Sequence, residues 1–291
     1  MKLSIVIPTY NRQGTIVRSI NSVLKQEGMP SDFELIIIDD CSTDDTVRVV
    51  QEIGNPNIML FKLEKNSGAN IARNVGFEKS QGDIIAFQDS DDVWLQGKLK
   101  RQLEILRDGY DIVGSSLMQF KKEKDFSNLK IGREGIEISP DRLFPVNIVS
   151  TQTLVFRRKV MEELMFDPIY SNLEDWDFAI RASQNFKFFY LLSPTCLRYL
   201  SKNSITRNHK DTAESYSILY KKFNNIINNF DDKSKKANFL VDFAVQCQAS
   251  GLPSWNLKKE ALKTSINLRV IGSFFLTKKI INFIAKRWKF N

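Results

Sequence analysis

Hydrophobic positions in residues 1–115 follow two alternating rhythms. Leu3–Ile7 is a short apolar run ending at Pro8; Ile16, Ile20, Val23 and Leu24 follow at i, i+4, i+7 and i+8, one face of a helix. Phe33–Ile38 is, Glu34 apart, a second apolar run, continuous rather than alternating, as expected of a parallel strand buried on both faces. A helix is predicted over Thr43–Ile53, with Thr43 or Asp44 able to cap it. Ile58–Leu63 and Ile84–Phe87 read as strands, Ala69–Lys79 and Lys98–Leu106 as helices, and Ile112–Ser115 as a further strand. Repeated strand–helix–strand units at this spacing predict an open, mostly parallel α/β sheet flanked by helices.

Beyond residue 115 the rhythm changes. Lys121–Lys130 is polar and reads as a loop. A shorter set follows, with strands at Thr153–Phe156 and Phe188–Leu192 and helices at Arg158–Leu164 and Glu174–Gln184. From Asp211 the pattern is helical only, through Tyr216–Phe230, Lys235–Gln248 and Lys258–Val270. The expected division is therefore an α/β half over 1–115, a second half of the same domain over 116–210, and a helical C-terminal region over 211–291.

Composition narrows the chemistry. With 291 residues, 42% apolar and 26% charged, the chain is an ordinary globular protein. Its net charge of +8 is unevenly placed: residues 257–291 hold nine basic residues and one acid, Glu260, so the first 256 are electroneutral. That argues against nucleic-acid binding, which calls for a basic stripe on the main domain. A single histidine, His209, excludes multi-histidine metal sites and makes a Ser/His/Asp triad implausible. Cys41, Cys196 and Cys247 are too scattered for a disulfide framework or zinc ribbon. The first apolar run is too short for a signal peptide, and Val270–Thr277 falls below the ~18 residues of a membrane span, which points to a cytoplasmic protein.

The acids mark a candidate site. In open α/β sheets ligands bind beyond the carboxyl ends of the strands. Asp39 and Asp40 follow one predicted strand, and Asp89, Asp91 and Asp92 follow another. Three carboxylates within four residues repel each other, and all-oxygen donors suit Mg²⁺ or Mn²⁺; the competing account is a solvated acidic turn. Glu174, Asp175 and Asp177 open a helix, where acids also complement the helix dipole, so dipole and general-base readings stand equal on spacing alone.

Five segments together resemble the family 2 glycosyltransferases: Ile5–Arg12, Ile38–Asp44, Gly68–Gly76, Asp89–Trp94 and Glu174–Asp177, in that family's order and spacing across about residues 1–205. The resemblance implies a GT-A fold and inverting transfer of a hexosyl or N-acetylhexosaminyl group from a nucleotide diphosphate sugar, a UDP-sugar by family habit. By the same resemblance, Pro8, Thr9 and Tyr10 pack on the nucleotide, Asp40 reads the uracil edge, and Arg73 faces the nucleotide. Asp89 and Asp91 form the DxD motif that holds Mn²⁺ or Mg²⁺, with Asp89 also at the nucleotide, and Asp175 is the catalytic base. Glu174, Trp94 and Trp176 are candidates for sugar or acceptor contact, the tryptophans alternatively being core or pocket wall. Many relatives carry a histidine where Leu200 or Ser201 stands here; His209 either substitutes for it or is solvent-exposed.

The chemistry is consistent with these residues. Cleaving the anomeric bond builds negative charge on the diphosphate, which a divalent ion neutralises, and a carboxylate on the opposite sugar face takes the acceptor's proton. A sugar nucleotidyltransferase is the competing enzyme, although a Gly-rich basic N-terminal loop is missing. A non-catalytic transferase-like membrane scaffold is the competing binder. In the tail, Ile280, Ile281, Ile284 and Trp288 oppose Lys278, Lys279, Lys286 and Lys289, a basic amphipathic helix that either lies on an anionic membrane or packs on the protein. A lipid-linked glycan acceptor in surface-polysaccharide assembly, with the enzyme peripheral on the inner membrane face, follows from the first reading.

Overall fold

The computed structural model describes residues 1–120, 131–199 and 208–265, together with 269, 270 and 273. The expected loop at 121–130, the positions Leu200 and Ser201, and the amphipathic tail helix lie outside them. The chain forms two compact units, one of residues 1–139, 148–168 and 174–201, the other of 140–147, 169–173 and 202–291. The short segments 140–147 and 169–173 thus fall with the helical region, where the sequence-based boundaries had put them in the α/β domain.

The first unit is built on one nine-stranded sheet. Its early elements are β1 (Leu3–Thr9), α1 (Ile16–Leu24), β2 (Phe33–Asp39), α2 (Thr46–Gln51), β3 (Ile58–Lys62), α3 (Ala69–Lys79), β4 (Ile84–Phe87), β5 (Val93–Trp94) and α4 (Lys98–Arg107). Then come β6 (Ile112–Phe120), β7 (Gly135–Ile138), β8 (Val155–Arg157), α5 (Arg158–Glu163), α6 (Glu174–Asn185) and β9 (Phe188–Tyr199). The strand order is β3-β2-β1-β4-β8-β6-β9-β5, with β7 also on β9. The strands β3, β2, β1 and β4 are mutually parallel, and β6 is parallel to β9, whereas β8, β5 and β7 run antiparallel to their neighbours. The expected mostly parallel α/β sheet is present. Continuous burial along β1 and β4 accounts for their largely apolar runs.

Local differences have physical causes. The helix predicted from Thr43 begins at Thr46, because the Asp44 carboxylate accepts from the Thr46 amide and holds residues 43–45 in a loop. The strand predicted to stop at Leu192 continues to Tyr199; the Ser193-Pro194 break is absorbed by register shifts opposite Ser115–Leu117. Thr151–Thr153 forms a 3₁₀ turn ahead of β8. β5 and β7 are too short to leave a period in the sequence.

Helix α3 lies close on the sheet because Gly76 lacks a side chain: a Cβ there would stand 2.3 Å from Val6 Cγ1. An aromatic cluster seats α6. Phe166 stacks on Phe178 at 4.8 Å and meets the edge of Phe87 at 5.3 Å. With Trp176, Asp177, Phe178 and Ile180 buried, Glu174 and Asp175 at the start of α6 stay half-buried at the rim.

The second unit holds α7 (His209–Lys222), α8 (Asn224–Asn228), α9 (Lys233–Ala249) and α10 (Trp255–Thr264). The predicted Tyr216–Phe230 helix is divided at Phe223, and α10 ends at Thr264 rather than Val270. Helix α9 is its core, burying Ala237, Phe239, Leu240, Val241, Phe243, Ala244 and Cys247. Asn208 and Asp232 cap α7 and α9 through their side chains. His209 is half-buried, its Nδ1 3.1 Å from Gln246 Oε1 on α9, and so is not the solvent-exposed side chain expected. Asp242 pairs with Arg269, and burial pushes the Asp242 carboxyl up to about 6.

Candidate active site

The parallel register brings the carboxyl ends of three strands to one edge. Thr9 pairs with Asp39 across β1 and β2, and Val6 with Phe87 across β1 and β4. Asp40 and the Asp89–Asp92 loop therefore leave the same end of the sheet on either side of β1, where ligand-binding loops lie in open α/β folds.

Asp40 has a structural task. Its two carboxylate oxygens accept from the amides of Ser67 at 2.7 Å and Gly68 at 2.8 Å. Gly68, at a φ of 91°, is the N-cap of α3, so Asp40 fixes the start of that helix. One turn later α3 delivers Arg73, which is 5% exposed. Its Nη2 donates to Asp89 Oδ1 at 3.0 Å and its Nη1 to Glu174 Oε1 at 2.9 Å. Burial disfavours the charged guanidinium, yet the pull of Asp89 and Glu174 outweighs this and raises its pKa. Arg73 thus joins the acidic loop to the start of α6, 101 residues away.

The Asp89–Asp92 loop is held by its main chain. Ser19 Oγ donates to the Asp89 carbonyl at 2.8 Å, Arg18 Nη2 to the Asp91 carbonyl at 2.9 Å, and Gln88 Nε2 to the Asp92 carbonyl at 2.8 Å. The Asp92 side chain turns inward, accepting from Gln152 Nε2 at 2.7 Å and the Tyr199 amide at 3.2 Å. Burial drives the Asp92 carboxyl well above its ordinary range. Asp89 and Asp91 are left at the rim, and Asp91 is raised by burial first and then by the charge of Asp89. Arg12 Nη2 lies 3.5 Å from Asp91 Oδ2.

The acids of α6 divide three ways. Asp177 is interior and receives Arg181 Nε at 2.8 Å, Glu174 faces Arg73, and Asp175 is half-buried with Oδ1 accepting its neighbour's amide from Trp176. Asp177 therefore belongs to the core rather than to the helix dipole at the surface. Thr9 Oγ1 and Arg73 Nε are buried without a hydrogen-bond partner among the described residues, an unused capacity of the kind a polar ligand satisfies. Pro8 is buried in β1, whereas Tyr10 is 41% exposed at its end.

The tryptophans do not fulfil the sugar-contact expectation. Trp94 and Trp176 are 2% and 1% exposed; Trp94 is a core side chain, with Nε1 donating to the Gln152 carbonyl and Lys98 Nζ over its ring. Sequence reasoning missed Arg12, Arg18, Ser19, Gln88 and Gln152. Gln88 alone left a trace, as a polar residue closing an apolar strand; the others carry no spacing signal.

Among the described residues no group of three or more His, Cys, Asp or Glu side chains could hold a metal. The set fits a cation held by one or two carboxylates and completed by water and phosphate oxygens, as Mg²⁺ commonly is. The mutual repulsion of Asp89 and Asp91 is what such an ion would relieve.

The carboxyl ends of three strands, a rim of two carboxylates and an acid-bearing helix thus converge at one end of the sheet. Residues 4–165 match the profile of glycosyl transferase family 2, and the chain belongs to that family. TuaG of Bacillus subtilis, named for teichuronic acid biosynthesis, is 40% identical over 121 residues, covering 40% of this chain and 47% of TuaG. The poly(ribitol-phosphate) beta-N-acetylglucosaminyltransferase TarS of Staphylococcus aureus is 26% identical over 259 residues, 84% of this chain and 44% of TarS. The chain thus spans less than half the length of these relatives. The fold matches that of TarS residues 1–349 solved with UDP-GlcNAc, at a TM-score of 0.60, 21% identity and coverage of 91% and 72%. It also matches a Pyrobaculum calidifontis mannosyltransferase solved with GDP-Man and Mn²⁺, at a TM-score of 0.59, 17% identity and coverage of 98% and 86%. The GT-A architecture expected from the motifs is therefore shown. No helix of the described residues is long and apolar enough to cross a membrane.

Proposed function

We propose that this chain is an inverting glycosyltransferase that moves a hexosyl or N-acetylhexosaminyl group from a UDP-sugar to a hydroxyl of a cell-surface polymer or its lipid-linked precursor. The observation that carries this reading is buried Arg73 joining Asp89 to Glu174, which gathers three motifs at one sheet edge. UDP-GlcNAc in the TarS structure and the names of TuaG and TarS support the donor and acceptor classes.

In this reading Asp40 does two jobs. Its oxygens hold the Ser67 and Gly68 amides, and their remaining lone pairs accept the uracil ring N–H. Pro8, Thr9 and Tyr10 line the nucleotide, with Thr9 Oγ1 available to it. Asp89 and Asp91 would hold Mn²⁺ or Mg²⁺, which supplies charge neutralisation of the departing diphosphate. Mn²⁺ beside a nucleotide sugar in the archaeal mannosyltransferase supports that choice. Asp175 takes the proton from the acceptor hydroxyl, and Glu174, tied to Arg73, sets the first turn of α6. A single direct displacement inverts the anomeric carbon.

Incubation with Mn²⁺ and a panel of UDP-sugars should release UDP in the presence of an acceptor. Formation of UTP and sugar 1-phosphate from the UDP-sugar when inorganic pyrophosphate is added would instead favour a nucleotidyltransferase, and no turnover with any donor a scaffold. The basic segment 257–291 is proposed to bring the enzyme to an anionic membrane on the cytoplasmic side. Truncation before Leu257 should abolish binding to anionic liposomes and leave donor hydrolysis intact; unchanged liposome binding would refute that role.

A further inference from the structure

We propose that Arg12 occupies the cation's place on Asp91 in the free enzyme and transfers to the donor diphosphate when cation and donor bind. The proposal rests on the reading of Asp89 and Asp91 as the cation site.

The anchor of Arg12 is fixed while its head is loosely held. Its amide donates to Thr46 Oγ1 at 2.7 Å. The preceding Asn11 sits at a φ of 51°, its Oδ1 accepting from the Thr43 amide at 2.9 Å. The guanidinium itself has two long contacts, 3.4 Å to the Tyr10 carbonyl and 3.3 Å to the Asn11 carbonyl, besides Asp91 at 3.5 Å. The Arg12 and Asp91 side chains are 32% and 30% exposed, so the pair sits at the mouth of the site. Arg73 differs: buried and doubly engaged, it cannot leave its carboxylates.

A guanidinium and a dication cannot share one carboxylate without mutual repulsion. A cation reaching Asp91 therefore displaces Arg12. The donor diphosphate brings oxygens that match the planar fork of arginine, and it lies beside the same cation. Arg12 thus opposes the cation alone and favours the cation–donor pair, so that the two load together.

The signature is two effects of opposite sign in one variant. In Arg12→Gln, Mn²⁺ added without nucleotide, followed by the electron paramagnetic resonance of free Mn²⁺, should bind about threefold to fivefold more tightly than in the wild type. UDP affinity at saturating Mn²⁺, measured by calorimetry, should fall at least about tenfold. Arg107→Ala, which removes the same charge at the far end of α4, should change neither constant by more than about twofold. Matching circular dichroism and melting temperature establish that the variants are folded; Arg12→Lys, which keeps the charge, should behave nearly as wild type toward free Mn²⁺. Equal or weaker Mn²⁺ binding in folded Arg12→Gln overturns this inference alone. Absence of Mn²⁺ binding in both wild type and variant overturns the cation site itself, and the inference with it.

Discussion

Two arginine pairings, one in each unit, use charge differently. In the helical unit Arg269 meets the single carboxylate of Asp242, giving a neutral pair between α9 and the residues that follow α10. In the α/β unit Arg73 meets two carboxylates, Asp89 and Glu174, with Asp91 close enough to Asp89 for that charge to add to burial in raising it. The first is balanced and needs nothing further. The second leaves an excess of negative charge at a sheet edge, where Thr9 Oγ1 and Arg73 Nε still have bonding capacity. A buried ion pair is by itself weak support for function; an unbalanced one at strand carboxyl ends supports the proposed cation and nucleotide site.

The largest effect that would sharpen this contrast lies at α6. Asp175→Asn should lower transfer by about 10²–10⁴-fold while UDP binding is kept, since the lost group acts on the acceptor proton. Full transfer activity in that variant would remove Asp175 from the base role. Next, Arg73→Met should destabilise the fold by about 3–5 kcal/mol, because it strands two partly buried carboxylates. Its denaturation midpoint against wild type measures that cost.

Much of the first region was legible in the sequence because β1, β2 and β4 are buried on both faces and are apolar almost throughout, the buried pair Ser4 and Glu34 being the exception. Acids placed directly after such strands could lie only at the strands' carboxyl ends, which is where Asp40, Asp89 and Asp91 stand. The supports of that edge were not legible. Gln152 reaches Asp92 across 60 residues and Ser19 reaches the Asp89 carbonyl across 70, and neither contact leaves a periodic signal. Trp94 and Trp176 misled for the opposite reason: an aromatic beside a motif looks the same in sequence whether it faces a sugar or the core. In the helical unit the pattern gave the helices but displaced their ends; along α9 buried and half-buried positions alternate round the helix, which blurs the amphipathic period.

Smaller effects probe the scaffold. Gly76→Ala would push a Cβ into Val6, costing about 1–3 kcal/mol and moving α3 with Arg73 on it. The melting curve should record the loss and calorimetry a weakened UDP affinity; wild-type values for both would mean that α3 can shift freely. The smallest expected effect belongs to Asp242. Its folded-state pKa, raised to about 6, lies above that of an unfolded aspartate. The stability it contributes is therefore complete below about pH 4 and is lost as pH rises through 6, on the order of 1–2 kcal/mol. Comparing Asp242→Asn with wild type by thermal denaturation from pH 4 to pH 7 isolates this slope, which the variant should lack.

The contrast between the two arginines is tested most directly by titrating UDP with Mn²⁺ into wild type and Arg73→Met by calorimetry, at a temperature where both are folded. Saturable one-site binding to the wild type and a loss of at least about tenfold in the variant are expected. No UDP binding by the wild type, or equal affinity in Arg73→Met, would contradict the assignment of this sheet edge as the donor site.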